Sequence, residues 1–157
     1  PPIHDVIKPV AWLIGKWKGD GEGKYPTMDD FTYREEIEFF HFGKPMLQFN
    51  AYSTDMEGKP LHREIGFLRI KKGTSHVALI VAHNNGVSDM EEGEVNGQEI
   101  KLESHTLGRM TFGAPPQTKK LCRTIKLEGD TLSQVLHMET ENTSLTEHLR
   151  ATYKKVT

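Results

Sequence analysis

The sequence predicts an all-β fold, a ten-stranded antiparallel up-and-down β-barrel with a short N-terminal helix. Three observations carry the prediction. About ten strand-like runs follow one another at short, regular spacing, each closed by Gly, Pro, Asn or Asp. Little helical periodicity interrupts them, which argues against the crossovers that parallel strands need. Gly recurs at 15, 19, 21 and 23, so one face of the first strand is bare where alternate side chains should stand. A bare face suits the close approach of another backbone or a flat ligand, and equally a glycine-kinked barrel corner. Closure removes exposed sheet edges, which favours a barrel over the alternative β-sandwich. A barrel of this size can enclose one small ligand.

In chain order, Val10, Leu13 and Ile14 with Pro9 at an early turn predict a helix over residues 9–14 that stops at Gly15. Trp12 and Trp17 flank that stop as packing residues. Strands are then expected over 15–23, 33–42, 46–53, 61–70, 76–83, 87–95, 98–104, 121–127, 131–140 and 149–156. The run from His76 to His83 is almost continuously apolar, as in a strand covered on both faces. Asn96-Gly97 and Gly129-Asp130 are hairpin turns. Pro115-Pro116 falls in a loop over 108–118 rather than at a domain boundary, so residues 1–157 are read as one domain.

The composition excludes several function classes. With 36% apolar and 27% charged residues the chain is globular rather than disordered. A net charge of −2 without a basic patch argues against nucleic acid or an anionic membrane as partner. The lone Cys122 excludes an internal disulfide and any multi-thiolate centre within one chain. Its cationic neighbours Lys119, Lys120 and Arg123 would lower its pKa, although a passive strand position is the simpler reading. No apolar run reaches the length of a membrane span, and no signal peptide is visible. The expected compartment is the cytosol or nucleus, and the missing initiator Met leaves room for further chain before Pro1.

No nucleophile elbow, P-loop or dinucleotide fingerprint is present. The pairs Glu35-Glu36, Glu91-Glu92 and Glu139/Glu141 read as solvated strand faces. Of eight histidines, three are candidates. His83 shares parity with Val77, Leu79 and Val81 and so faces inward at a strand end. His62 opens the run His62-Arg63-Glu64. His148 has the wrong parity, because Leu149, Ala151 and Tyr153 form the apolar face of the last strand. It can reach the interior only by preceding that strand or sitting at a bend.

Four stretches together resemble the nitrobindin family of haem-binding β-barrels, including the nitrobindin-like domain at the C-terminus of a THAP-type zinc-finger protein. They are Gly15-Lys16-Trp17-Lys18-Gly19-Asp20-Gly21 with Tyr25-Pro26-Thr27, residues 59–67 (KPLHREIGF), residues 91–99 (EEGEVNGQE), and the C-terminal run from His148-Leu149 to Thr157. The resemblance implies one haem b per chain near the barrel mouth, with His148 as axial iron ligand just before the final strand. It implies that Thr27 contacts the haem edge, and that Leu61, His62, His83 and Met138 line the pocket. Relatives carry Gln at the position of His83, so His83 is a departure. The implied activity is isomerisation of peroxynitrite to nitrate by ferric haem, with reversible binding of nitric oxide. Expected partners are those small molecules, with neither nucleic acid nor membrane engaged through this domain and a homodimer allowed. Two other readings stay open at this point. One is a lipocalin- or fatty-acid-binding-like module for a small apolar ligand without iron chemistry. The other is a barrel working by protein contact, for which no apolar surface patch stands out in the sequence.

Overall fold

The computed structural model describes residues 1–26 and 28–157. A 3-10 helix over Asp5–Leu13 leads into ten strands: β1 (Gly15–Gly23), β2 (Phe31–Phe40), β3 (Met46–Thr54), β4 (Pro60–Ile70), β5 (His76–His83), β6 (Val87–Asn96), β7 (Glu99–Arg109), β8 (Thr118–Glu128), β9 (Thr131–Thr140) and β10 (Thr143–Lys155). All neighbours pair antiparallel, and β1 closes the barrel against β10. The expected architecture is therefore the observed one.

The helix is earlier and tighter than predicted, starting at Asp5 with the His4 ring accepting from the Val6 N–H at 3.2 Å. It plugs one end of the barrel with Ile7, Val10 and Leu13 fully buried. Trp17 is buried, and its indole N–H donates to the Leu13 carbonyl at 2.8 Å, which ties the plug to β1. Trp12 is only half-buried. The two hairpins expected from the sequence each carry a glycine with positive φ at the first central position, Gly97 (61°) and Gly129 (59°), which is the requirement of a type II′ turn. The first therefore turns on Gly97-Gln98, one residue later than the sequence suggests.

The bare face of β1 is taken up by aromatic side chains. Gly21 and Gly23 sit directly opposite Tyr33 and Phe31 of β2, whose rings occupy the space that a Cβ would need. At Gly19 the β10 backbone at Thr152 comes equally close.

Inward residues form layers. Nearest the plug are apolar side chains, among them Ile37, Phe49, Leu68, Leu79, Ile100 and Ile125. The next layer is charged: Glu35, Glu64, Glu91 and Arg123. Above it, toward the other end, the barrel is hollow. On the outside, Ile65, Phe67, Ile80 and Met90 are exposed and adjacent through strand pairing, an apolar row that the sequence reading did not pick out.

Candidate functional site

The hollow is a cavity of about 460 Å³, within the usual range for cofactor pockets. Its upper walls are mainly apolar: Met28, Phe31, Val87, Leu121, Leu136 and Met138 contribute. Leu61 stands at the rim, 45% exposed. Parity puts these side chains inside, since Leu121, Arg123 and Ile125 alternate along β8 exactly as Phe31, Tyr33 and Glu35 do along β2.

The floor is the charged layer. Arg123 projects from β8 and reaches β4 on the far side. Its Nε and Nη2 donate to Glu91 at 2.9 and 3.1 Å, Nη1 and Nη2 donate to Glu64 at 3.3 and 3.2 Å, and Nη1 donates to Gln134 at 3.1 Å. Every N–H of the guanidinium is thus used. Burial alone would raise the Glu64 pKa, but Arg123 and His83 outweigh it and hold it down to about 2. Glu91 is raised, by burial first and by the nearby Asp89 carboxylate, against the pull of Arg123. Glu35 accepts from the Tyr153 hydroxyl, and its burial still pushes it up to about 7. Glu35 and Glu91 were expected on solvated faces; the structure buries both. Cys122 is half-buried, and burial raises its thiol pKa despite Lys120, contrary to the lowering expected from its cationic neighbours.

On one wall, His62 Nε2 lies 3.1 Å from His83 Nδ1, and His83 Nε2 lies 3.3 Å from Asp89 Oδ1. In the neutral tautomer that donates from Nε2 to the Asp89 carboxylate, the lone pair of Nδ1 faces His62 and Glu64. His62 is held below its ordinary pKa, by burial first, and so is neutral near pH 7.

His148 is 1% exposed. It lies within β10, not before it. The pairing steps from Glu147↔His137 to Leu149↔Leu136, so two β10 residues face one β9 residue and His148 is the extra residue of a β-bulge. The bulge resolves the parity conflict by letting His148 and Leu149 both turn inward. Its Nδ1 lies 2.9 Å from the Thr146 carbonyl. A carbonyl only accepts, so Nδ1 carries a proton, and in the neutral ring the lone pair is then on Nε2, the tautomer that a metal requires. The β10 strand is five strands from β5 in either direction round the barrel, so His148 and His83 come from opposite walls. His148 is screened from the cavity by Tyr25, whose ring packs edge-on against it with centroids 4.8 Å apart; Tyr25 and Leu149 are the adjoining wall.

The structure thus brings Leu61, His62, His83 and Met138 to one cavity, whereas His148 does not line it and lies behind Tyr25 of its wall. Thr27, the remaining expected site residue, lies outside the described residues. Sequence reasoning missed Tyr25, Glu64, Asp89 and Arg123. The available signal was parity, because Arg123 falls between Leu121 and Ile125, and Glu64 in phase with Leu68 and Ile70.

Comparison with known proteins gives a consistent result. A family model described as a THAP4-like, haem-binding β-barrel domain matches residues 6–155. A human protein named peroxynitrite isomerase THAP4 is 43% identical over 162 residues, which cover 100% of this chain and 28% of that relative. The chain therefore spans under a third of the length of that relative. An Arabidopsis thaliana protein named peroxynitrite isomerase is 35% identical over 159 residues, covering 99% of this chain and 92% of the relative. The crystal structure of Rv2717c from M. tuberculosis superposes with a TM-score of 0.90 at 33% identity, covering 99% of this chain and 100% of that one.

Proposed function

The chain belongs to the THAP4-like haem-binding β-barrel family, and from that premise we propose that it holds one haem b per chain through His148 Nε2, isomerises peroxynitrite to nitrate in the ferric state, and binds nitric oxide reversibly. The observation that carries this reading is the buried His148 in a β10 bulge, with its Nδ1 proton given to the Thr146 carbonyl at 2.9 Å. That arrangement orients the second imidazole nitrogen, Nε2, as the one available to a metal, with only the Tyr25 ring between His148 and a cavity of about 460 Å³. The residues fit a haem in their donor chemistry: one axial nitrogen and mainly apolar walls.

Bound ferric haem would supply a Lewis-acidic iron and an electronic system able to rearrange an O–O bond. The chain supplies position and access. Thr146 fixes the His148 tautomer. Leu61 and Met138 offer apolar contact and no strong sixth ligand. The Arg123 donors are all engaged by Glu64, Glu91 and Gln134, so the floor does not trap an anion. His62 and His83 are polar groups on the wall opposite β10, with Ser53 and Asn85 beside them.

The experiment is stopped-flow decay of peroxynitrite with nitrate yield, on haem-loaded wild type and on His148→Ala mixed with the same haemin. Decay that rises with wild-type concentration toward nitrate, and falls to the free-haemin value in the variant, supports the proposal. Equal rates for wild type and free haemin would refute it. The small-apolar-ligand reading shares only the barrel and its cavity, and specific haem binding through His148 would remove it.

A further inference from the structure

We propose that His62, Glu64 and His83 form a second binding site, for a divalent first-row transition ion of the zinc class, with Asp89 as the positioning residue behind His83. The three side chains offer two imidazole nitrogens and one carboxylate oxygen, all within 4.8 Å of one another. Two ligands of one tetrahedral zinc stand about 3.4 Å apart, from bond lengths of 2.0–2.1 Å. The separations here are 3.1 Å for His62 Nε2 to His83 Nδ1 and 3.5 Å for His83 Nδ1 to Glu64 Oε2. The ion would take the place of the proton between the two rings.

Two further observations point the same way. His83 Nε2 lies 3.3 Å from Asp89 Oδ1, and with an ion on Nδ1 the ring would donate from Nε2 to that carboxylate, the carboxylate–histidine–metal arrangement. Asp89 Oδ2 is buried with no hydrogen-bond partner among the described residues. An unpaired buried carboxylate oxygen is costly, and positive charge one imidazole away offsets it. The wider charge balance agrees. Glu35, Glu64, Asp89 and Glu91 are four buried carboxyl groups beside one buried guanidinium, Arg123. A divalent ion adds positive charge where carboxyl groups are in excess. Glu64 can serve both Arg123 and the ion, since each carboxylate oxygen has two lone pairs.

His62 and His83 both line the cavity, so the fourth position of the ion opens into it. On the haem reading above, this would set a second Lewis-acidic group on the wall opposite β10, facing an anionic substrate. The site itself does not depend on that reading.

The test is titration of the chelator-treated full chain with Zn²⁺ by calorimetry, and with Co²⁺ followed by its d–d spectrum. Wild type should bind one ion per chain with tetrahedral Co²⁺ bands. H83Q should weaken binding at least about 100-fold and D89N about 10–100-fold, each with an unchanged circular dichroism spectrum. H62Q gives a second ligand variant should H83Q fail to fold. H148A should bind the ion as wild type does while losing haem, which separates failure of this site from failure of the haem reading. H76Q removes the exposed His76–Glu92–Glu94 group, an adventitious alternative, and should change nothing. Absence of a stoichiometric site in wild type would overturn the proposal. So would binding that survives both H83Q and H62Q, or that is lost in H76Q.

Discussion

Replacing Arg123 by Met removes the only buried guanidinium among the described residues and leaves the buried Glu64 and Glu91 carboxyl groups without the cation they share. Arg123 is 3% exposed, and Glu64 and Glu91 are 6% and 0% exposed, so water cannot take over the screening. Breaking one partner of a buried ion pair costs about 3–5 kcal/mol, which for a domain of this size lowers Tm by about 10–15 °C. The penalty has a defined pH dependence. In the wild type Glu64 is held down to about 2 from 4.5, so its contribution is fully present above pH 4.5 and is lost as pH falls toward 2. In the variant only His83 and His62 still oppose burial, the largest influence on Glu64, and the folded pKa of Glu64 rises above its unfolded value. Stability of the variant then falls as pH rises above 4.5. The gap between wild type and variant should narrow between pH 7 and pH 5. Urea unfolding at the two pH values measures it. A Tm within about 2 °C of wild type, or a gap that does not change with pH, would refute the charge argument. Arg123→Met combined with Glu64→Gln and Glu91→Gln should recover part of the loss, because no buried charge is then left unpaired.

Three more perturbations test other parts of the molecule. Glu35 is raised by burial from 4.5 to about 7, so wild-type stability declines as pH rises through that window, by roughly 3 kcal/mol for this group; Glu35→Gln should lessen the decline by that amount and leave the share of Glu91, matching wild type near pH 4.5 and exceeding it near pH 8 in urea melts. Gly21→Val would push a side chain into the space of the Tyr33 ring, costing about 1–3 kcal/mol in chemical denaturation, and equal stability would show that the ring is free to move. Tyr25→Ala should raise the haemin association rate several-fold in stopped flow while Tyr25→Phe does not, because the ring that covers His148 is lost only in the first.

The strand pattern was legible because parity and turn residues are local. Gly97 and Gly129 each terminate a run that one face must bury, and closure follows from the absence of crossovers. The charged floor was not legible, because burial of Glu64 and Glu91 depends on Arg123 reaching across from β8, two strands from β6 and four from β4, and that of Glu35 on the Tyr153 hydroxyl. Read alone, each carboxylate looks solvated; only these distant partners make its inward position tolerable. His148 lies between these cases. Its parity is wrong for a regular strand, and the bulge that corrects it shows only in the β9–β10 register. The resemblance singled out the residue, but placed it before the strand that in fact contains it.

The central claim is that His148 holds haem, and haemin titration followed at the Soret band, on wild type and His148→Ala together, tests it most directly. The account predicts saturation at one haem per chain for wild type, and loss of that specific binding in a variant that keeps the β-sheet circular dichroism spectrum. Equal haem affinity in the two proteins would contradict it.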